Sequence, residues 1–193
     1  ASYQAKYIDE NLSKKINTDK ELVHSFYLIG DAGNAEEGKT IPSLVYFEKE
    51  LQQASKNSTT LFLGDNVYPY GIPPKKNEPY ALAKHRIQTQ INAVKNQKGR
   101  SIFIPGNHDW YNGIDGLKRQ EKLVEKALGK GSFLPENGCG LKKVDISDDI
   151  TLIIIDSRWF IMNWDKEPKI NDNCTIKTRE HFIDEVSSLL KKN

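Results

Sequence analysis

The sequence predicts an α/β fold, a β-sheet core flanked by helices. Three observations carry that expectation. Short apolar, β-prone runs occur at Phe26-Tyr27-Leu28-Ile29, Leu61-Phe62-Leu63 and Ile102-Phe103-Ile104, and each is followed by a polar segment containing glycine, the composition of a strand exit. Asp31 and Asp65, just beyond the first two runs, are 34 positions apart, and Asn107, beyond the third, follows 42 later. Each interval is long enough for a crossover helix and a parallel return strand. Within the intervals, apolar residues recur at helical spacing.

The elements follow in order. Residues 1 to 22 are polar, with a weak helix start at Asn11-Leu12-Ser13-Lys14-Lys15, and read as an arm leading into the first strand. After that strand, Thr40 is expected to cap a helix with Pro42 in its first turn, its apolar stripe made by Leu44, Val45, Phe47, Leu51 and Ala54. A strand over 59–63 comes next, followed by a proline-rich loop from Pro69 to Pro79 that cannot be regular throughout. The spacing of Leu82, Ile87, Ile91 and Val94 predicts a helix over 80–97 that stops before Gly99. The third strand covers 101–104, and a further helix over 115–128 is closed by Gly129 and Gly131. Segments 141–146 and 150–155, joined by Ser147-Asp148-Asp149, read as an antiparallel hairpin appended to the sheet. A last helix over 178–191 places Phe182, Ile183, Val186, Leu189 and Leu190 on one face.

Composition bounds the function. The 193 residues carry 37% hydrophobic and 28% charged side chains, as a soluble globular domain does. The longest aliphatic run, Leu152 to Ile155, is far short of the roughly 20 residues of a membrane helix. A net charge of +2 with interspersed acids gives no strong nucleic-acid signal. Cys139 and Cys174 both lie in polar, turn-like surroundings, and one such pair predicts a disulfide and an extracytoplasmic location, periplasmic or secreted. Two free thiols in a cytoplasmic protein are the alternative.

The three strand exits concentrate the chemistry. They read Gly30-Asp31-Ala32-Gly33, Gly64-Asp65-Asn66-Val67-Tyr68 and Gly106-Asn107-His108-Asp109. In an open α/β sheet the carboxyl edge of the strands is where ligands bind. Aspartate, asparagine and tyrosine supply hard oxygen donors, and histidine adds a nitrogen acceptable to iron, zinc or manganese. Each motif taken alone is also a turn or a helix cap. Their shared position predicts that Asp31, Asp65, Asn107 and His108 cluster at one end of the sheet.

At these motifs the sequence resembles the calcineurin-like metallophosphoesterase superfamily, and its Tyr68-containing second motif is most similar to the purple acid phosphatase branch. The resemblance runs from about Ser25 to the terminal helix. It implies hydrolysis of a phosphomonoester or phosphodiester by two divalent or trivalent metal ions, iron, zinc or manganese. By the same resemblance Asp31 would bind the first metal, Asp65 would bridge, Asn107 would bind the second, and Tyr68 would be a phenolate ligand of ferric iron. His108 would contact the transferring phosphoryl group, with Asp109 orienting its ring. Tyr68 is equally readable, with Tyr70 two residues on, as a ring packed under the loop. His24, His85 and His181 match no motif and read as ordinary helix or surface residues. Trp110 and Tyr111 are expected beside the pocket mouth, and Arg158, in Asp156-Ser157-Arg158-Trp159, is expected to make a surface salt bridge, with a phosphate contact as the alternative.

The family completes its site with later histidines in Val-x-x-His-like and Gly-His-x-His segments, which do not occur here. Residues 23–193 therefore read as the N-terminal part of a catalytic domain, apparently truncated on its C-terminal side. The metals are expected to be weakly bound or absent in this segment, which alone is expected to be inactive. Apolar sheet surface would then need a partner chain or a further C-terminal segment to cover it. Two other functions stay open: a noncatalytic interaction or scaffold domain with a degenerate site, and a nuclease or nucleotide phosphodiesterase with a basic groove beside Asn107.

Overall fold

The protein is described from a computed structural model that covers residues 22–163 and 167–192. The expected N-terminal arm, apart from Leu22, lies outside the described residues. Strands β1 (Ser25–Ile29), β2 (Ser58–Leu63) and β3 (Arg100–Ile104) form a parallel sheet in the order β1-β2-β3. Helices α1 (Pro42–Gln52) and α2 (Tyr80–Val94) lie in the two crossovers, as the spacing required. Leu28 pairs with Leu61 and Leu61 with Ile102, so these three residues share one sheet face. Their neighbours Phe62 and Phe103 point to the other face and stack at 4.0 Å.

That second face carries the main core. Phe62 and Phe103 pack with Leu44 and Leu51 of α1, Ile87 and Ile91 of α2, and Leu117 and Val124 of α3 (Gly113–Leu128). The helix boundaries differ from the pattern at their ends. Helix α1 is capped by Ile41, not Thr40, with Pro42 at its first position. Ala54 falls beyond it yet is buried in the same core.

Strands β4 (Leu141–Ser147) and β5 (Ile150–Ile155) form the expected antiparallel hairpin, but it is a separate two-stranded sheet and does not extend the first. The outer edge of β3 is already occupied: Phe103 N donates to Ser132 O at 2.8 Å, and Leu134 N donates to Phe103 O at 2.8 Å. With the edge satisfied, the hairpin lies across the face, where Val144 and Ile154 join Leu61, Ile102 and Leu134 in a second apolar cluster. Phe26 and Leu28, on the same face of β1, stay 37% and 57% exposed.

After β5 the chain turns into a short helix α4 (Ser157–Ile161), which the sequence pattern did not predict, and later enters α5 (Arg179–Lys192). Thr178 Oγ1 accepts from His181 N at 3.1 Å and caps α5. Cys139 and Cys174 are joined by a disulfide with Cα atoms 5.5 Å apart, as expected. Among the described residues no helix is long and apolar enough to cross a membrane.

Candidate metal centre

The three strand exits meet because each is cut close to the next. A Cβ at Gly33 would lie 2.3 Å from the backbone of Asn66, and one at Gly106 would lie 2.4 Å from the amide nitrogen of Asp65. Only glycine lets the first and third motifs approach the second this closely. Asp31 and Asp65 adopt φ of 57° and 53°, a left-handed conformation that costs a non-glycine residue free energy and concentrates at functional sites. Asp31 N donates to Gly64 O at 3.2 Å, which fixes the first exit on the second.

The side chains converge on Tyr68. Its hydroxyl lies 2.6 Å from Asp31 Oδ1 and 2.9 Å from Asp65 Oδ2, bridging carboxylates that come from different strands. These hydrogen bonds, Asp31 first, hold the phenol proton on and push the Tyr68 pKa above its ordinary value. Asp65 Oδ1 also accepts from His108 N at 3.0 Å. Asp31, Asp65 and Asn107 line one cavity of about 680 Å³ at the carboxyl end of the sheet, with Tyr111 and Arg158 on its wall. Asn107 Nδ2 donates to Tyr111 Oη at 3.0 Å, an assignment that leaves Oδ1 as its acceptor.

The position of Tyr68 is set from below by α2. Arg86 donates through Nε to Ala35 O at 2.9 Å and through a terminal nitrogen to Tyr68 O at 2.6 Å, tying the first loop to the second. One turn further along, Gln90 Nε2 donates to Asn66 O at 2.6 Å. Neither residue stood out in the sequence. The available signal was an arginine and a glutamine four positions apart, each next to a residue of the apolar stripe made by Ile87, Ile91 and Val94.

His108 packs against Tyr68 and Tyr111, with ring centroids 4.3 and 4.9 Å away. Its Nδ1 lies 2.6 Å from Pro69 O, so Nδ1 carries a proton and, in the neutral ring, Nε2 is the acceptor. The Pro69 carbonyl therefore orients this ring, where Asp109 was expected to do so. Asp109 is completely buried, and its carboxylate accepts from Gly106 N at 2.7 Å, Val67 N at 3.0 Å, Asn66 N at 3.1 Å and Asn66 Nδ2 at 3.2 Å. Burial nonetheless raises its pKa to about 7, against those hydrogen bonds, which lower it.

The surrounding aromatic residues separate. Tyr111 is 48% exposed on the cavity wall, whereas Trp110, expected beside the mouth, is buried and donates from Nε1 to Asp156 Oδ2 at 2.7 Å. His24 and His85 hydrogen-bond Thr59 and the Lys39 carbonyl, and His181 lies 3.6 Å from Glu185, all outside the cavity lining.

The sequence profile of the calcineurin-like phosphoesterase family matches residues 24–192. The chain belongs to the calcineurin-like phosphoesterase family. It is thus a metal-dependent phosphoester hydrolase by class, with phosphate esters as its substrates. No curated protein and no solved structure gives a match. The donor set of this phosphoesterase suits a hard cation: two carboxylates and a phenol meet within 3 Å, and the asparagine amide lines the same cavity. Among the described residues, no group of three or more His, Cys, Asp and Glu side chains is placed to hold a metal ion. The donors present fit part of such a centre.

Proposed function

We propose that this phosphoesterase acts at a dinuclear metal centre of the purple acid phosphatase kind, with Asp31, Asp65, Tyr68 and Asn107 as this chain's share of the ligands. The observation that carries the reading is the Tyr68 hydroxyl between Asp31 Oδ1 and Asp65 Oδ2, at 2.6 and 2.9 Å. Three oxygens drawn this close by a proton are the set a cation would use once that proton leaves. Iron, zinc or manganese bound there would polarise phosphate oxygens and lower the pKa of a water nucleophile. Four donors are fewer than two such ions require, and the remaining ligands come from residues outside this set.

The chain's own groups then divide the work. Asp65, with Oδ2 toward Tyr68 and Oδ1 held by the His108 amide, would be one of the carboxylates that hold the metal. His108, its Nδ1 proton committed to Pro69 O, offers Nε2 to carry a proton to the leaving oxygen or to stabilise developing charge. Asp109 serves as the buried anchor of the second and third loops. We place the protein outside the cytoplasm, on the support of its disulfide.

The test is hydrolysis of para-nitrophenyl phosphate with added iron, zinc or manganese. The 193-residue chain should turn over near background, and a chain extended to supply histidine ligands should be active and lose that activity in Asn107→Ala. An extended chain that binds metal but hydrolyses no phosphate ester would favour the second reading, a noncatalytic domain with a degenerate site. That reading is supported by the thin donor set among the described residues.

A further inference from the structure

Arg158 is the one cation among the described residues lining the cavity that holds Asp31, Asp65 and Asn107. An arginine beside two carboxylates would ordinarily pair with one. Arg158 instead forms no contact ion pair with any described residue; its charge is felt by the buried Asp156, whose pKa it acts to lower, and its Nε is buried without a hydrogen-bond partner among the described residues. A buried guanidinium donor left unpaired is costly. Among the described residues, the surface salt bridge expected from the sequence is not formed.

The base of Arg158 is fixed relative to the third motif. Asp156, fully buried, accepts from Trp159 N at 2.9 Å and from Trp110 Nε1 at 2.7 Å, and its own amide donates to Gly140 O at 2.9 Å. Trp110 is three residues beyond Asn107 and on the same tight turn as His108. The β5 exit and the third strand exit are therefore stapled together, and Arg158 is held on the wall of the same cavity as Asn107.

Resting on the phosphoesterase reading, we infer that Arg158 is a substrate-positioning residue that binds the non-bridging oxygens of the phosphate and favours phosphate monoesters over diesters. A guanidinium presents planar, paired donors that match phosphate oxygens. A monoester phosphate carries about −1.5 to −2 charge at neutral pH, its second pKa being near 6, whereas a diester carries a single charge. A cation additional to the metals thus rewards the monoester more. The nuclease reading needed a basic groove beside Asn107, and one arginine in a cavity lined by two carboxylates does not make one.

The probes are inorganic phosphate and dimethyl phosphate, titrated calorimetrically into the protein with manganese present. Arg158→Gln should weaken inorganic phosphate by about tenfold or more, the loss expected for a charge-assisted hydrogen bond. Dimethyl phosphate should change by less than about threefold, and manganese affinity and melting temperature should hold. Arg158→Lys, which keeps the charge and loses the fork, should recover part of the phosphate affinity. Unchanged inorganic phosphate affinity in Arg158→Gln, with manganese bound, would overturn the assignment and leave the phosphoesterase reading standing. Equal loss of both anions would overturn the monoester preference. Wild-type protein that binds neither manganese nor phosphate would overturn the proposed function and this inference with it.

Discussion

The candidate centre has two storeys of opposite character. In the upper one, Asp31, Asp65 and Asn107 open on the cavity and Tyr68 lies between the two carboxylates, which share its phenol proton. The lower one, Asn66, Gln90, Asp109 and Gln120, is completely buried, and Asp109 alone collects four N–H donors from the second and third motifs. Both are polar and both sit at the same strand ends. Their difference shows how the fold can tolerate an electrostatically unfavourable surface: the buried network does most to fix the loops, so the donors above it stay available for a ligand.

Removing the lower storey should therefore have the largest effect. Asp109→Ala would leave four N–H groups without this acceptor, three of them buried, and at about 1 to 3 kcal/mol for each unsatisfied group the loss should be on the order of 4 kcal/mol or more. Chemical denaturation would show it as a large fall in midpoint or as failure to fold. A loss below about 1 kcal/mol would erase the distinction between the storeys.

A smaller effect is expected at Asp156, which couples the hairpin exit to the third motif. Burial is the main cause that raises its pKa to about 6, above the ordinary 3.8. A carboxyl whose folded pKa is raised binds its proton more tightly in the native state. Its contribution is thus full below the unfolded value and is lost as pH climbs from about 4 to 6, by about 3 kcal/mol for a shift of this size. Asp156→Asn should flatten that portion of the stability profile, as thermal melts across this pH range would show. An undiminished slope in the variant would assign it to other groups, with Asp109 the next to examine.

The smallest effect should come from the upper storey. Asp31→Asn removes one of two facing carboxylates and should leave stability within about 1 kcal/mol of wild type, or raise it slightly, as functional-site substitutions often do. A melting temperature many degrees lower would mean that the exposed donors hold the loops together after all.

Much of this site was legible in the sequence, and the reasons are local. Strand exits carrying glycine and a ligand-type residue, at crossover spacing, converge in a parallel sheet, so Asp31, Asp65 and Asn107 could be placed at one end of it from the sequence alone. Asp109 was misassigned because neighbours on a tight turn point in opposite directions, and no periodicity distinguishes His108 on the surface from Asp109 in the interior. The hairpin was recognised from its own alternation. Its placement depended on residues 132–134 occupying the edge of β3, a long-range hydrogen-bonding choice with no local signature. Arg86 and Gln90 were hidden by the helix that carries them, since a polar residue on a buried face looks like a break in the pattern until its partner is seen.

Metal binding by the chain and by Asp65→Asn tests the central claim most directly. Manganese titrated calorimetrically should bind the wild-type protein, weakly given four donors, and the variant should lose at least about tenfold in affinity while melting within about 1 kcal/mol of wild type. Equal manganese affinity in the two proteins would contradict the claim that the strand exits form a metal centre.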